Sequence, residues 1–221
     1  MPGEIKIDDG AGNYTILTNA GSLGSDKTIT IPNETATLAT TNASNLGGLV
    51  KLASATASNS SELLFDNFVD TSTYLYYHII SENIIPATNG ANFYMTFRQG
   101  GASGSDLNGT YLNMAWQATG NSASSGFDSN NYNTNFMQIG DQIGNTAGTA
   151  HNGTTDFFPS DGTNNGSWVV ADFVHKTSAG NIRDRHRGNY LDSTTAVTGA
   201  RFYMNSGNIT SGSIHIYGIK K

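Results

Sequence analysis

The most constraining feature of the sequence is the alternation of apolar and polar residues over short segments from Leu49 onward. In "NFYMTFR", residues 92–98, the apolar residues Phe93, Met95 and Phe97 occupy every second position. A period of two places them on one face of a β-strand. Nothing longer than two turns follows the 3.6-residue period of a helix, so the sequence predicts an all-β fold.

Similar segments recur along the chain, with turns rich in Gly, Asn and Ser between them. They cover residues 49–54, 62–69, 74–81, 92–99, 110–117, 135–140, 167–175, 199–206 and 212–220. β-branched and aromatic residues dominate them, as strand propensity requires. This spacing predicts a jelly-roll-like antiparallel β-sandwich, with a β-barrel as the open alternative.

Residues 1–48 form a separate compositional unit. Four short alternating segments, at 4–7, 13–17, 27–31 and 35–39, precede the small polar linker "TTNASNLGG" at 40–48. Strands this short cannot build a core of their own. We therefore expect a short, strand-rich N-terminal arm at 1–48, which serves for attachment, and a sandwich domain at 49–221.

The apolar side chains of this arm need a surface to pack against. The candidates for an arm or oligomer interface are Ile5, Ile7, Ile16, Ile29, Ile31 and Leu38. Copies of the same segment in a symmetric oligomer, or the surface of a partner protein, would bury them. Packing on the following domain is the alternative.

Composition argues against several functions. Charged residues make up 13% of the chain and the formal net charge is −6, which disfavours nucleic acid, because nucleic-acid-binding proteins normally present a basic face. The lack of Cys excludes disulfides and thiolate metal sites. No apolar run is long enough for membrane insertion. We expect no secretory signal, and therefore synthesis in a cytoplasm.

Candidate catalytic residues are sparse. Beyond the arm the only glutamates are Glu62 and Glu82, and no motif places a carboxylate pair across a cleft as a glycosidase needs. "HNGTTDFFPSD" brings His151, Asp156 and Asp161 close in sequence, which leaves a loop Ca²⁺ open although EF-hand spacing is absent. We expect no enzyme activity, no cofactor and no metal site.

Two long connections are candidates for contact with another surface. Residues 118–135 and 140–166 are rich in Asn, Ser and Gly and carry isolated aromatic residues, among them Tyr132 and Phe158. Such mixtures suit adaptable polar contacts with a protein or a glycan. The alternative is that the loops pack on their own sandwich through these aromatic residues.

The one basic cluster is "NIRDRHRGNY", residues 181–190. Arg183, Arg185 and Arg187 occupy every second position, so a strand would place three guanidinium groups on one face. That face would bind acidic groups of a partner protein or of a charged glycan. The alternative is an edge strand whose charges prevent aggregation.

Two stretches resemble phage proteins. "KTITIPNETATLATT", residues 27–41, resembles a segment common near the N-terminus of tail-fibre and appendage proteins of phages, especially marine ones. Residues 47–81, "GGLVKLASATASNSSELLFDNFVDTSTYLYYHIIS", together with "SGSIHIYGIK" at 211–220, are similar to a family of β-sandwich virion proteins. The middle of the chain, 100–200, adds nothing to this resemblance.

The resemblance implies a homotrimeric virion structural protein at the virion surface. The short arm favours a capsid decoration protein (cement or head fibre) that binds the major capsid protein. A tail fibre or receptor-binding protein, attached to a tail hub and recognising a host surface glycan, is the alternative, and a polysaccharide depolymerase is a third. The motifs carry no catalytic residues. A phage leaves its host by lysis, so synthesis in the host cytoplasm without an export signal fits this reading.

Overall fold

The structure is a computed structural model that describes part of the chain. The described residues are 5–8, 14–17, 48–119, 125–128, 134–163 and 166–221. The chain divides into two compact units, Met1–Ala43 and Ser44–Lys221. Among the described residues, no helix is long and apolar enough to cross a membrane.

The first unit contains one described antiparallel pair. Strand β1 (Ile5–Asp8) pairs with β2 (Tyr14–Leu17), which sets Ile5 opposite Leu17 and Ile7 opposite Thr15. The predicted strands at 27–31 and 35–39 lie outside the described residues.

In its described residues, the second unit consists of strands and a short 3₁₀ turn, Gly101–Ser103. Its described strands are β3 (Leu49–Ser60), β4 (Glu62–Phe65), β5 (Tyr74–Pro86), β6 (Ala91–Gln99), β7 (Ser105–Asp106), β8 (Thr110–Thr119), β9 (Ser125–Asp128), β10 (Met137–Ile143), β11 (His151–Phe158), β12 (Ser167–Lys176), β13 (Ile182–Asp192), β14 (Gly199–Met204) and β15 (Ile209–Lys220). The all-β prediction is confirmed.

The strands form two antiparallel sheets. The larger has eight strands in the order β3-β15-β5-β11-β12-β13-β8-β9, and the smaller has five, with the order β10-β6-β14-β4 and β7 paired to β6. The chain crosses repeatedly between the sheets, since β4, β6, β10 and β14 of the smaller sheet each follow a strand of the larger one. An antiparallel β-sandwich is confirmed, and the finer jelly-roll assignment stays a prediction.

One hydrophobic core joins the two sheets. Phe97 of β6 stacks on Phe157 of β11 with ring centroids 4.7 Å apart, and it lies 6.0 Å from the ring of Tyr111 of β8. All three side chains are fully buried. Burial of a side chain of this size contributes about 1.5–3 kcal/mol, so contacts of this kind hold the sheets face to face.

Alternation along β6 and β15 follows the prediction. Phe93, Met95 and Phe97 of β6 are fully buried, as are Ile214 and Ile216 of β15. The same rule operates differently in β8. There the inward positions include Tyr111 and Asn113, whereas Leu112, Met114 and Trp116 point away from the core.

The segments 47–81 and 211–220, which are similar to β-sandwich virion proteins, meet in the larger sheet. Gly218 of "YGIK" pairs with Tyr77 of β5. A Cβ on Gly218 would lie 2.4 Å from the ring of Tyr74, and that ring lies 5.8 Å from the ring of Tyr77. Only glycine leaves room for Tyr74 here, so the tyrosines and the glycine of these motifs have a packing role.

Two predictions about the middle of the chain are wrong. Residues 140–166 are not one long connection, because they include the end of β10 and the whole of β11. The segment with three arginines is not an edge strand, because β13 lies between β12 and β8 and pairs with both. Residues 118–135 contain the last two residues of β8 and the whole of β9, which pairs with β8. Residues 120–124 and 129–133 of that segment lie outside the described residues.

We predict that Phe97→Ala destabilises the protein by about 3–5 kcal/mol, because it removes a buried ring between the sheets and leaves a cavity. Denaturant unfolding followed by circular dichroism measures this loss. Leu64→Ala is the control, since Leu64 is 45% exposed on β4, and we expect a change within about 0.5 kcal/mol. Equal losses in the two variants would contradict the assigned core.

Candidate functional site

The candidate site is the outer face, defined as the side of the eight-stranded sheet that points away from the five-stranded sheet. Alternation places Met114 and Trp116 of β8, Phe158 of β11 and Trp168 of β12 on it. Met114 is 63% exposed, Trp168 56% and Trp116 42%. Large apolar side chains grouped on one exposed surface mark an interaction site.

An aromatic row crosses four neighbouring strands of this face. It consists of Tyr76, Phe158, Trp168 and Tyr190, on β5, β11, β12 and β13. Tyr76 stacks on Phe158 with centroids 5.0 Å apart, and Trp168 lies 4.4 Å from Tyr190. Phe158 and Trp168 are opposite residues in the β11–β12 register. The row therefore presents four aromatic side chains side by side.

Two polar pairs lie on the same face as the aromatic row. His186 Nδ1 lies 2.6 Å from Asp172 Oδ1, and His78 Nδ1 lies 2.6 Å from Asp156 Oδ1. Both pairs join opposite residues of adjacent strands. Each pair leaves one imidazole nitrogen and one carboxylate oxygen outside the bond.

Two shallow depressions lie on the same face. The smaller, about 230 Å³, is lined by Met114, Ala115, Trp116, His186 and Gly188. The larger, about 420 Å³, has Asp172, Val174 and Asp184 on one side and Ile80, Glu82 and Thr154 on the other. The Asp172–His186 pair connects the two depressions, because Asp172 borders the larger one and His186 the smaller one.

The three arginines of β13 point the other way. Arg185 and Arg187 are only 4% and 3% exposed, and Arg183 is half-buried. All three occupy positions whose register partners face the core, such as Phe173 and Ala171. The predicted face of three guanidinium groups exists, but it is turned into the sandwich and cannot meet a partner or a glycan in the folded domain.

Asp141 of β10 brings two of these arginines together. Its Oδ2 accepts a hydrogen bond from Arg183 Nη1 and lies 3.0 Å from Arg185 Nη2. The Asp141 carbonyl oxygen lies 2.5 Å from Nε2 of His175 on β12. Since β10 belongs to the smaller sheet and β12 and β13 to the larger one, this cluster joins the two sheets. Its role is structural.

Two buried histidines stand beside this cluster. Burial lowers the pKa of His175 to about 4, against the opposing influence of Asp141. Burial also lowers the pKa of His151 well below its ordinary value, and the nearby His175 adds to the effect. His151 Nε2 lies 3.1 Å from Ser81 Oγ, and its ring lies 5.8 Å from that of His175. Both histidines are therefore neutral at pH 7.

The open possibility of a Ca²⁺ site at His151, Asp156 and Asp161 is wrong in this form. His151 is buried toward the core, whereas Asp156 lies on the outer face of the same strand. Side chains on opposite faces of a strand cannot share a cation. Within the described ranges, no group of three or more His, Asp or Glu residues is placed to hold a metal ion.

Several predicted contact residues cannot be placed in a site. Ile5, Ile7 and Ile16 lie in β1 and β2, of which only the backbone pairing is described. Ile29, Ile31, Leu38 and Tyr132 lie outside the described residues. Phe158 is the one predicted contact residue that the structure places on an exposed surface, in the aromatic row.

The outer face was not predicted as a site, although the sequence contains a signal for it. In "SWVVADFVH", residues 167–175, both alternating sets are mainly apolar, since Val169 and Phe173 face the core and Trp168, Val170 and Val174 face outward. A strand at the surface of a sandwich needs only one apolar face. Two apolar faces indicate a second contact.

Comparison with known proteins gives no relative: no protein-family model, no curated protein and no solved structure matches this chain.

We predict that Asp141→Ala destabilises the protein by about 3–5 kcal/mol, because it leaves buried guanidinium groups without their carboxylate. Urea unfolding at pH 7 measures the loss. Asp184→Ala is the matched control, since Asp184 is exposed on the outer face, and we expect a change within about 0.5 kcal/mol. A small effect at Asp141 would show that the cluster does not hold the sheets together.

We predict that stability falls as the pH drops from 6.5 to about 4. The folded-state pKa of His175 is about 4, below the ordinary value of about 6.5, so the unfolded chain binds protons more readily in this window. The contribution is therefore complete above pH 6.5 and lost progressively below it.

Urea midpoints at pH 7.5, 6, 5 and 4.5 test this pH dependence. We expect a smaller dependence in His175→Gln, which keeps a donor for the Asp141 carbonyl but does not titrate. A natural chain whose midpoint stays constant or rises toward pH 4.5 would contradict the buried neutral state.

Proposed function

We propose that this chain is a non-enzymatic structural protein of a phage virion surface. In this proposal residues 1–48 attach the protein to the particle and the β-sandwich projects as a knob. The favoured form is a homotrimeric capsid decoration protein bound to the major capsid protein. Support comes from the resemblance of residues 27–41, 47–81 and 211–220 to virion proteins.

The observation that carries the proposal is the outer face. Its largest exposed side chains are apolar or aromatic, and they lie on a sheet surface whose depressions are shallow. An apolar sheet face suits contact with another surface, whereas sites for small molecules are concave and enclose most of the ligand. These features support the proposal that the knob makes contact with another surface rather than converting a substrate.

The second candidate is a tail fibre or receptor-binding protein. The exposed rings of Trp116 and Trp168 favour it, because solvent-exposed indoles are amphipathic and are enriched where proteins recognise other molecules. In this form residues 1–48 would attach to a tail hub and the knob would contact a host surface glycan.

We predict that quantitative mass spectrometry of purified virions finds this chain at a simple ratio to the major capsid protein. A decoration protein occupies repeated positions on the capsid lattice, so its copy number follows that of the capsid protein. Peptides from residues 49–81 and from the major capsid protein, measured against labelled standards, give the ratio.

The copy number separates the candidates. A few trimers per particle would contradict capsid decoration and assign the protein to the tail. Absence from washed virions that contain every other structural protein would overturn the proposed function in both forms.

A further inference from the structure

The smaller depression on the outer face has a glycine floor that packing does not require. Gly188 of β13 is exposed, and no heavy atom lies within 4 Å of the position that a Cβ would occupy. A Cβ would fit there without a clash. The missing side chain therefore leaves an open slot of about 230 Å³ between Met114, Trp116 and His186. We call this depression the tryptophan slot.

The walls of the tryptophan slot combine an aromatic ring with hydrogen-bonding groups. The indole of Trp116 and the thioether of Met114 are apolar and exposed. His186 forms the polar end of the slot, and its hydrogen-bond partner Asp172 borders the adjoining larger depression. Their side chains are 55% and 61% exposed. Their mutual bond uses Nδ1 and Oδ1, so Nε2 and Oδ2 are available to a ligand.

We propose that the tryptophan slot and the aromatic row bind a neutral glycan chain. A pyranose ring has an apolar face of C–H groups and a rim of hydroxyls. The apolar face matches the rings of Trp116 and Trp168, which provide a large apolar area. The hydroxyls match Nε2 of His186 and Oδ2 of Asp172 as hydrogen-bond partners.

The charges on the outer face favour a neutral ligand. Alternation turns Glu82, Asp156, Asp172 and Asp184 outward from the central strands β5, β11, β12 and β13, and Lys176 is a cation among them. This surplus of carboxylates repels an anionic polysaccharide. A second copy of the same face would also bring carboxylates against carboxylates, which opposes self-association.

The larger depression extends the site. It is bordered by Asp172 on β12 and Asp184 on β13, while His186 borders the tryptophan slot. Since Asp172 and His186 are opposite residues in the register, the two depressions adjoin at this pair. The face therefore has room for successive sugar units, and we expect oligosaccharides to bind more tightly than monosaccharides.

This inference deepens the proposed function, because it names the class of ligand that the knob binds. It rests on that function in one respect: the outer face must stay uncovered when the protein is assembled on the virion. The two are tested separately: copy number per virion does not depend on glycan binding. If the protein bound no glycan but was present at a simple ratio to the major capsid protein, the glycan inference would be overturned and the proposed function would stand.

Both tryptophans of the chain lie on the outer face, so intrinsic fluorescence reports on this face. The full chain would first be screened on an array of neutral and anionic bacterial and algal polysaccharides. Hexasaccharides of the neutral hits, with hexagalacturonate as the anionic probe, would then be titrated. We expect a saturable change in tryptophan emission with a neutral hexasaccharide and none with hexagalacturonate.

Two variants test the location. Trp116→Ala removes the stacking ring, and we expect affinity to fall about tenfold or more. Gly188→Leu places a side chain in the tryptophan slot at a position where a Cβ meets no other atom, so we expect an unchanged thermal midpoint and loss of binding. Leu64→Ala is the control: it removes an exposed leucine of comparable exposure from the smaller sheet, and binding should not change.

Three outcomes would overturn the inference. The first is an array on which no neutral polysaccharide binds, or on which anionic ones bind more tightly. The second is a folded Gly188→Leu protein that keeps full affinity. The third is an oligomer whose mass, measured by light scattering, falls in Gly188→Leu, since that would make the face an interface between copies of the chain.

Discussion

Each strand of the larger sheet has only two sides, and this constraint connects the core to the surface. Once Phe157 and Val169 face the smaller sheet, their neighbours Phe158 and Trp168 must face outward. The contact between Phe97 and Phe157 therefore fixes the outer face as well as the interior. A slip of one residue between β11 and β12 would exchange core and surface side chains together. The aromatic row is as precisely placed as the core, since the same backbone register determines both.

The predictability of the fold followed the strength of the alternation. β6 and β15 were predicted because apolar residues fill their inward positions, as with Phe93, Met95 and Ile214. β11 was missed because His151 and Thr155 are polar although they are buried. Their burial depends on neighbours far away in sequence, such as Ser81 for His151. Partners of this kind cannot be inferred from local composition.

The candidate site was less predictable than the fold for a related reason. A row of arginines on a strand predicts a basic surface. The prediction fails when the arginines face the core and a carboxylate from another sheet pairs with them there. Asp141 does this for Arg183 and Arg185, and its position in "QIGDQIG" gives no sign of that pairing. The aromatic row is likewise assembled from four strands, so no single segment shows it. The one local signal is in β12, where the residues on both faces of the strand are mainly apolar. Its outward residues Trp168 and Val170 are exposed on the outer face.

The position of β15 has a consequence for how the domain is made. β15 lies between β3 and β5 and pairs with both along most of its length. On a ribosome, β3 and β5 emerge long before β15, and until it arrives they have no direct pairing with each other in the final sheet. Their apolar faces stay exposed during that interval, as expected for a topology of distant pairings. The larger sheet is therefore completed late in synthesis, and the sandwich cannot fold fully until β15 has paired with both neighbours. Truncation within β15 should give an aggregating chain rather than a smaller stable domain.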